Sequence, residues 1–283
     1  FNSIKHWDKF TLPDIIKEYN KVIDIYHCHN EPNDFVVHTI ENTDKPVVFD
    51  VHDLESLRTC IDADKYEKIA LDSATLRVFP SKEMREWVRK TYGVWNDKDI
   101  VLFPYCAKAL VPNFIPGNTI GNDIVHQGGL GGRGMRNWRC LQLNDISFHV
   151  YSAITSTVYD YVPTNSVVHL YIADFQEFTK ALSQYRWGMI GSCVDNNLMR
   201  SSMPNKLFDY MAAGIPSILF NASRSAEELA KEYNLGVIIS KSDEISDIYE
   251  QSTQNKINAL KHRDQFWMED HIQELENLYK EII

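Results

Sequence analysis

The sequence predicts an α/β protein whose strands form doubly wound parallel sheets. Short apolar runs rich in β-branched residues alternate with amphipathic segments of about ten residues, as in parallel sheets. Polar or glycine-rich segments follow several of these runs, where the carboxyl ends of parallel strands place ligand sites. The alternation stops over residues 104–122, which contain Pro104, Pro112 and Pro116, and then resumes. We therefore expect two α/β halves joined by a linker.

Composition limits the class of protein. A chain of 283 residues accommodates two domains of ordinary size, and 44% hydrophobic residues are typical of a soluble globular protein. The net charge of −10 argues against a nucleic-acid-binding face. The five cysteines are an odd number without a C-x-x-C spacing, which predicts reduced thiols, a cytoplasmic location and no zinc site.

The first half contains four predicted strands. They cover residues 22–28, 46–51, 75–79 and 100–103. The predicted helices cover residues 12–19, 33–41, 62–72 and 81–92. Ser81 is the expected N-cap of the last of these helices, and Gly93 is its expected stop.

The second half repeats the pattern. Its predicted strands cover residues 123–127, 146–150, 166–172, 186–191, 216–220 and 236–239. Its predicted helices cover residues 135–143, 174–184, 204–213, 224–234, 243–260 and 264–283. The last helix has an apolar stripe of Leu275, Leu278, Tyr279 and Ile282.

A glycine-rich segment, 128–134, lies between a predicted strand and the predicted helix 135–143. Glycines such as Gly128 and Gly129 let the backbone approach a ligand closely, and N–H groups at a helix start favour an anion. Arg133 can hold a diphosphate through two hydrogen bonds. The alternative is a flexible turn with a solvated arginine. The segment matches neither a dinucleotide fingerprint nor a Walker loop.

The helix that starts at Pro204 carries the second candidate anion site. Asn205, Lys206 and Asp209 are predicted to share one face, since residues three and four apart are neighbours on a helix. Lys206 near the helix N-terminus suits a phosphate, and Asp209 can accept hydrogen bonds from sugar hydroxyls. The alternative is a solvated Lys206–Asp209 surface pair.

Polar residues also end two strands of the first half. They are His29, Asn30, Glu31, Asp50, His52 and Asp53. His52 is the candidate for contact with a reacting sugar, because a neutral imidazole beside a carboxylate can donate or accept a hydrogen bond. The alternative is a histidine that caps a loop.

The helix 81–92 offers a weaker candidate surface. Its basic residues are Lys82, Arg85, Arg89 and Lys90. A peripheral membrane contact is conceivable there, but Glu83 and Glu86 dilute the charge and favour a solvated helix face.

Four segments resemble retaining glycosyltransferases of family four. The segment 204–216 resembles the P-N-K-L-F-E-Y-M-A-A-G-x-P signature, and 123–133 resembles the Q-G-G-L…R-G phosphate loop. Residues 49–53 resemble the family's D-x-H-D/E strand end, and 74–93 resemble its S-x-x-M…Y-G unit. The resemblance implies a GT-B architecture, with two Rossmann-like domains facing a cleft.

The resemblance also implies the domain bounds. An N-terminal acceptor domain would cover residues 1–116, and a nucleotide-sugar-binding domain would cover 117–265. A helix over 266–283 would cross back to the first domain.

The family's site roles carry over to matching positions. The diphosphate contacts fall on Arg133 and Lys206 with the N–H groups around Gly129, the ribose contact on Asp209 and the sugar contact on His52. The base falls near Ile172 and Ala173, while Gly128, Ser201 and Asn205 complete the donor site. The resemblance implies a UDP- or GDP-sugar donor, a hydroxyl acceptor, retention at the anomeric carbon, no metal or other cofactor, and a role in polysaccharide or glycoconjugate synthesis.

Two features depart from the family pattern. The family's E-x7-E pair has Ser201 and Asp209 here, and no strand with a glycine loop is recognisable in residues 1–20. The front of the first domain is therefore either trimmed or reduced. These departures leave two alternatives open: a non-catalytic nucleotide-sugar-binding or interaction subunit, and a nucleotide-sugar epimerase or hydrolase on the same fold.

Overall fold

Two compact units make up the chain in the computed structural model. The structure describes residues 12–29, 32–59, 65–111, 123–130, 136–141, 143, 146–152, 158–164, 166–241, 245–248 and 251–283. The first unit lies within residues 1–103 and 272–283, and the second within residues 104–271. The predicted boundary after residue 116 lies outside the described residues.

The described strands and helices follow the predicted alternation. The strands are β1 (Tyr26–His29), β2 (Val47–Asp50), β3 (Leu76–Phe79), β4 (Ile100–Val101), β5 (Ile124–Gln127), β6 (Phe148–Ser152), β7 (Ser166–Leu170), β8 (Trp187–Gly191), β9 (Ser217–Phe220) and β10 (Gly236–Ile239). The helices are α1 (Leu12–Tyr19), α2 (Asn33–Asn42), α3 (Glu55–Thr59), α4 (Lys65–Ser73), α5 (Lys82–Tyr92), α6 (Phe175–Leu182), α7 (Asn197–Ser201), α8 (Asn205–Ala212), α9 (Arg224–Tyr233), α10 (Ile245–Ile248), α11 (Ser252–His262), α12 (Met268–His271) and α13 (Gln273–Ile282). No helix among the described residues is both long enough and apolar enough to cross a membrane.

The first unit contains a four-stranded parallel sheet in the order β1-β2-β3-β4. Helix α5 begins and ends as the sequence predicts. Ser81 Oγ accepts a hydrogen bond from the Met84 N–H at 3.0 Å, and Gly93 ends the helix at a φ of 71°. Helix α13 packs on this sheet through Leu275, which joins a core with Val48 and Leu76.

The second unit contains a six-stranded parallel sheet in the order β10-β9-β8-β5-β6-β7. Strands β5 to β7 extend to one side and β8 to β10 to the other, so the order reverses between β5 and β8. This reversal is the topological switch point at which open α/β sheets bind ligands outside the strand carboxyl ends. The predicted α/β class with two parallel sheets is confirmed.

The predicted helix 135–143 is wrong for the described residues 136–141, which form turns and a single bridge instead. This segment is tied to the end of β8. Cys140 and Cys193 form a disulfide, the Cys193 N–H donates to the Asn137 carbonyl at 2.8 Å, and the Asn137 N–H donates to Ser192 Oγ at 2.9 Å. These cross-links hold an extended chain where apolar spacing alone favours a helix.

The disulfide also corrects the prediction that all the cysteines are reduced thiols. Among the described cysteines, Cys28 and Cys106 are free. The expected reduced state was inferred from an odd count and the lack of C-x-x-C. Neither criterion detects a pair separated by 53 positions in sequence.

Two of the long helices that the sequence predicts are divided into shorter helices in the structure. The predicted helix 243–260 appears as α10 and α11, and the predicted helix 264–283 appears as a 3₁₀ turn at Arg263–Gln265 followed by α12 and α13. The sequence analysis missed α3 and α7. Asn196 caps α7, since its Oδ1 accepts a hydrogen bond from the Met199 N–H at 2.8 Å.

Candidate functional site

At the switch point, the backbone pairing of β5 with β8 ends at Val125 and Gly188. Beyond these residues, a side chain replaces the missing partner of several backbone N–H and C=O groups. The Tyr210 hydroxyl, from α8, lies 3.3 Å from both the Val125 and the Met189 carbonyl oxygens, and it accepts from the Gln127 N–H at 3.3 Å. Buried backbone groups need such partners. Tyr210 therefore holds the two diverging strand ends.

Tyr210 can occupy this place because residue 188 is a glycine. A Cβ atom on Gly188 would lie 2.3 Å from Tyr210 Cδ2, which no real packing permits. The small residue on β8 and the large residue on α8 are therefore complementary, and together they fix α8 at the switch point.

His126 lies fully buried on β5 beside Tyr210. Its Nδ1 donates to the Met189 carbonyl at 3.2 Å. Burial lowers the pKa of His126 well below its usual value, and the charges of Lys206 and Arg136 lower it further. The imidazole is therefore neutral, with Nδ1 carrying the proton. Nε2 has no hydrogen-bond partner among the described residues.

Lys206 places its ammonium group over the loop that follows β5. Lys206 Nζ lies 3.3 Å from the point that a Cβ of Gly128 would occupy. Gly128 has a φ of +97°, a backbone conformation that favours glycine. The close approach of Lys206 also favours a residue without a side chain at this position. The start of the glycine-rich segment and the helix that begins near Pro204 are therefore in contact through Gly128 and Lys206.

A second cation lies near this point. The charge of Arg136 lowers the pKa of His126, as the charge of Lys206 does. It also opposes the rise that burial causes in the pKa of Tyr210. The sequence analysis singled out Arg133 instead, and Arg133 lies outside the described residues. The signal for Arg136 was its place in the same basic segment, three residues after Arg133.

Asp209 lies one turn beyond Lys206 and is held by protein groups. Its Oδ2 accepts from Gln127 Nε2 at 2.5 Å, and its Oδ1 accepts from Cys106 Sγ at 3.2 Å. Burial raises the pKa of Asp209, against the opposing effects of these two bonds and of the Lys206 charge. A solvated surface pair therefore does not describe this carboxylate. Gln127 and Cys106 are partners that the sequence analysis missed.

The other predicted donor residues occupy different places in the second unit. Ser201 is buried at the end of α7, and Asn205 is exposed as the first residue of α8. Ile172 and Ala173 follow β7, which is separated from β5 by β6. Two strand spacings amount to about 9–10 Å. The donor-binding roles of these residues stay predictions.

In the first unit, four side chains meet at the carboxyl ends of β1 and β2. We call His27, His29, Asp50 and His52 the histidine cluster. His27 Nε2 lies 3.2 Å from Asp50 Oδ2, His29 Nδ1 lies 3.1 Å from it, and His52 Nε2 lies 3.5 Å from it. His29 Nδ1 and His52 Nε2 are 2.8 Å apart. Three imidazoles thus surround one carboxylate oxygen.

Protonation in the histidine cluster follows from these contacts. Burial opposes ionisation of Asp50, but hydrogen bonds from His27 and His52 outweigh it and hold the pKa of Asp50 well below its usual range. Burial lowers the pKa of His29. The Tyr279 hydroxyl, from α13, is hydrogen-bonded to His27 Nδ1. Burial and the Asp50 charge raise the pKa of Tyr279 to about 12.

The sequence analysis expected only part of this cluster. It placed His29, Asp50 and His52 at neighbouring strand ends, but it missed His27, which precedes His29 by two positions and so shares its face of the strand. Asp53 pairs with Arg58 at 2.6 Å instead. Asn30 and Glu31 lie outside the described residues.

On α5, two of the four basic residues are paired with a carboxylate of the same helix. Glu86 lies 2.8 Å from Arg89 and 3.3 Å from Lys90. Arg85 and Arg89 also lie over the exposed Trp95 ring. Membrane contact through this helix stays a prediction.

The strand order, with its cations at the switch point, defines a Rossmann-type α/β protein. No protein-family model matches the chain, and no curated protein matches its sequence. Solved structures do match. The chain is similar to Anabaena HepE, solved in complex with UDP-glucose, with a TM-score of 0.69 and 12% identity over 95% of this chain and 81% of HepE.

Two further structures support the same fold. Sucrose-phosphate synthase from Thermosynechococcus elongatus is similar with a TM-score of 0.69 and 11% identity, over 99% of this chain and 81% of the synthase. WaaG, a glycosyltransferase involved in lipopolysaccharide biosynthesis, has a TM-score of 0.61 and 9% identity, over 96% of this chain and 94% of WaaG. The chain therefore has the predicted GT-B class of fold.

Proposed function

We propose that the protein is a glycosyltransferase that moves a sugar from a nucleoside diphosphate sugar to a hydroxyl acceptor. The observation that carries this proposal is the position of Lys206 Nζ over Gly128 at the switch point, with Arg136 nearby. Two cations and a glycine backbone at that edge suit a diphosphate. HepE, which shares the fold, is solved with UDP-glucose, and this likeness supports the same class of donor.

The donor would extend along the carboxyl edge of the second sheet. Its diphosphate would contact Lys206, Arg133 and the N–H groups of Gly128 and Gly129, while its base would lie near residues 172–173 beyond β7. Asp209 would contact the ribose, and Ser201 and Asn205 would complete the donor site. This arrangement follows the family resemblance and spans the strands β5, β6 and β7.

The chemistry that we propose is transfer with retention at the anomeric carbon. The bond between the sugar and the β-phosphate oxygen breaks as the acceptor oxygen bonds to the same carbon, and the acceptor proton leaves with the diphosphate. Lys206 and Arg133 would stabilise the charge on the leaving diphosphate, so the transfer step needs no metal or other cofactor. His52 would contact the reacting sugar.

The biological setting that we propose is polysaccharide or glycoconjugate synthesis, with UDP or GDP as the nucleotide of the donor. The cytoplasmic location stays a prediction. The Cys140–Cys193 disulfide favours an oxidising compartment instead, because cytosolic thiols are kept reduced.

One observation favours the alternative of a non-catalytic nucleotide-sugar-binding subunit. Ser201 stands where the family has glutamate, and the Asp209 carboxylate already accepts hydrogen bonds from Gln127 and Cys106. A ribose hydroxyl would have to share or displace those donors. Binding of a nucleotide without any turnover would select this alternative. Release of free or epimerised sugar would select the hydrolase or epimerase alternative.

The test is titration calorimetry of the full chain with UDP, GDP and their glucose and mannose derivatives. Loss of a charge-assisted contact costs about 1.5–3 kcal/mol, so Lys206→Ala is expected to weaken binding by about 10–100-fold. Arg133→Ala should weaken it similarly. Lys231→Ala, which removes an exposed lysine on α9, is the matched control and should bind like the wild type. Unchanged affinity in both site variants would reject the proposed diphosphate site.

A further inference from the structure

We propose that the histidine cluster is a binding site for a divalent transition metal ion, with His27 Nε2, His29 Nδ1 and Asp50 Oδ2 as ligands. These three atoms all lie within 4.8 Å of one another. The residues of this site all belong to the first unit. The inference goes beyond the proposed glycosyl transfer and does not rest on it.

The separations between the ligand atoms suit metal coordination. His27 Nε2 and His29 Nδ1 lie 3.2 and 3.1 Å from Asp50 Oδ2. Zinc bonds to nitrogen and oxygen are about 2.0–2.2 Å long, and a tetrahedron with such bonds has edges of about 3.3–3.6 Å. The two distances to Asp50 Oδ2 are therefore within a few tenths of an ångström of a coordination edge.

The histidine cluster also brings together more nitrogen and oxygen lone pairs than its own protons can bridge, which favours a cation. A neutral imidazole carries one N–H, and an ionised carboxylate carries none. His29 Nδ1, His52 Nε2 and Asp50 Oδ2 lie 2.8, 3.1 and 3.5 Å apart in pairs, with His27 Nε2 on the same oxygen. Protons bridge such atoms two at a time, whereas one metal ion bonds three or four of them at once.

Tyr279 supports His27 from behind in the way that metal-binding histidines are usually supported. Such histidines donate their second ring N–H to an oxygen, which fixes the tautomer and the ring orientation. Without an ion, His27 Nε2 donates to Asp50 Oδ2 while Nδ1 accepts from the Tyr279 hydroxyl. An ion bound at Nε2 would replace that proton, and the neutral imidazole would then carry its proton on Nδ1 and donate to the Tyr279 oxygen.

Exposure gives an ion a path into the site. The side chain of Asp50 is 18% exposed and that of His27 is 23% exposed, whereas His29 and His52 are 62% and 50% exposed. Two sheltered ligands thus hold one side of the site, and the other side is open to water. His52 Nε2, beside His29 Nδ1, is in a position to become a fourth ligand.

The ligand set selects the class of metal. Imidazole nitrogens with one carboxylate oxygen suit Zn²⁺, Ni²⁺, Co²⁺ or Cu²⁺, whereas Mg²⁺ and Ca²⁺ prefer sites made of oxygen ligands. We therefore choose Zn²⁺ as the probe for binding, and Co²⁺ as the spectroscopic probe for tetrahedral geometry.

The test uses the full chain without an affinity tag, stripped with a chelator and titrated with Zn²⁺ by calorimetry. One equivalent is expected to bind the wild type, and His27→Ala and Asp50→Asn should each weaken binding by at least tenfold. Tyr279→Phe, which removes the hydroxyl behind His27, should weaken it by about 10–100-fold. His38→Ala is the matched control, since His38 lies on α2 beside Glu41, at 3.4 Å, and the Tyr66 ring, and is not a member of the histidine cluster.

Circular dichroism of each variant separates lost binding from lost folding, and Asp50→Asn keeps the size of the side chain. Tetrahedral Co²⁺ absorption in the wild type that disappears in His27→Ala would support the site. The proposal is overturned by a wild type that binds no Zn²⁺, or by binding that persists at full affinity in both His27→Ala and Asp50→Asn.

Discussion

The switch point of the second unit and the histidine cluster of the first unit occupy equivalent places, at the carboxyl ends of adjacent parallel strands. Their chemistry is opposite. Lys206, Arg136 and the Gly128 backbone present positive groups, whereas the histidine cluster presents imidazoles around an ionised carboxylate. Under the two proposals above, the same fold position serves an anion in one unit and a cation in the other, depending on which side chains follow the strands.

The two sites are also held differently. Tyr210, the disulfide and the Asn137 contacts brace the switch point from several segments of the second unit. The histidine cluster is held mainly by contacts to one carboxylate and by Tyr279. Damage to the bracing should therefore alter the stability of the second unit more than any change at the histidine cluster alters that of the first.

The largest effect is expected from removal of the disulfide. Closing a loop of 53 residues lowers the entropy of the unfolded chain, which stabilises the fold by about 4 kcal/mol in the chain-entropy description. The double variant Cys140→Ser, Cys193→Ser should therefore lose about 2–4 kcal/mol in urea unfolding. Cys28→Ser, at a free cysteine of the first unit, should lose far less. An equal loss in both variants would contradict a special role for the pair.

A smaller loss is expected from Gly188→Ala. The new Cβ would meet the Tyr210 ring at 2.3 Å, so Tyr210 must move and release the strand ends of β5 and β8. Overpacking of this kind costs about 1–3 kcal/mol. Gly129→Ala is the matched control for stability, because a Cβ there meets nothing within 4 Å. Thermal unfolding of the two variants side by side measures the difference.

The sequence predicted the architecture well and the details of the sites unevenly. The spacing of apolar runs predicted both parallel sheets, and the caps of α5 followed from Ser81 and Gly93. The helix expected over 135–143 failed because hydrophobic spacing does not reveal a disulfide or hydrogen bonds to β8. Local patterns carry no information on a partner 53 residues away.

The same limit explains which site residues were missed. Lys206 stood out because helix starts attract anions, and its approach to Gly128 follows from the topology of the sheet. Cys106 and Tyr279 reach their partners across 103 and 252 positions. Nothing in their local sequence distinguishes them from core residues.

The buried carboxylate at the switch point gives a prediction on pH. Burial raises the pKa of Asp209, so the folded state binds more protons than the unfolded state above the usual carboxyl pKa. Stability should therefore fall as the pH rises through the folded pKa, and Asp209→Asn should remove that fall. At pH 7 the amide removes the cost of burying a charge, but it leaves Gln127 or Cys106 without an acceptor, so the net change in stability should stay within about 1 kcal/mol.

The same variant tests the ribose contact. If Asp209 binds a ribose hydroxyl, Asp209→Asn should weaken UDP binding by about tenfold. Asp195→Asn, at an exposed carboxylate paired with Arg200, is the control and should change neither UDP binding nor stability by much. A change in stability between pH 4 and pH 7 that is the same in Asp209→Asn as in the wild type would contradict the assigned cause.

The last effect is expected at His126. Its contribution to stability should change with pH in the direction opposite to that of Asp209. Burial lowers the pKa of His126, so below about pH 6.5 the unfolded state binds a proton that the folded state refuses. Stability should therefore fall as the pH falls from 7 to 5, by at most about 1.4 kcal/mol per pH unit for one proton.

His126→Asn keeps a donor for the Met189 carbonyl and should flatten that slope, even though it lowers stability overall. His149 and His169, whose pKa values burial also lowers, should leave part of the slope in that variant. Urea unfolding at pH 7, 6 and 5 gives the comparison, and an unchanged slope in His126→Asn would place the acid sensitivity outside the switch point.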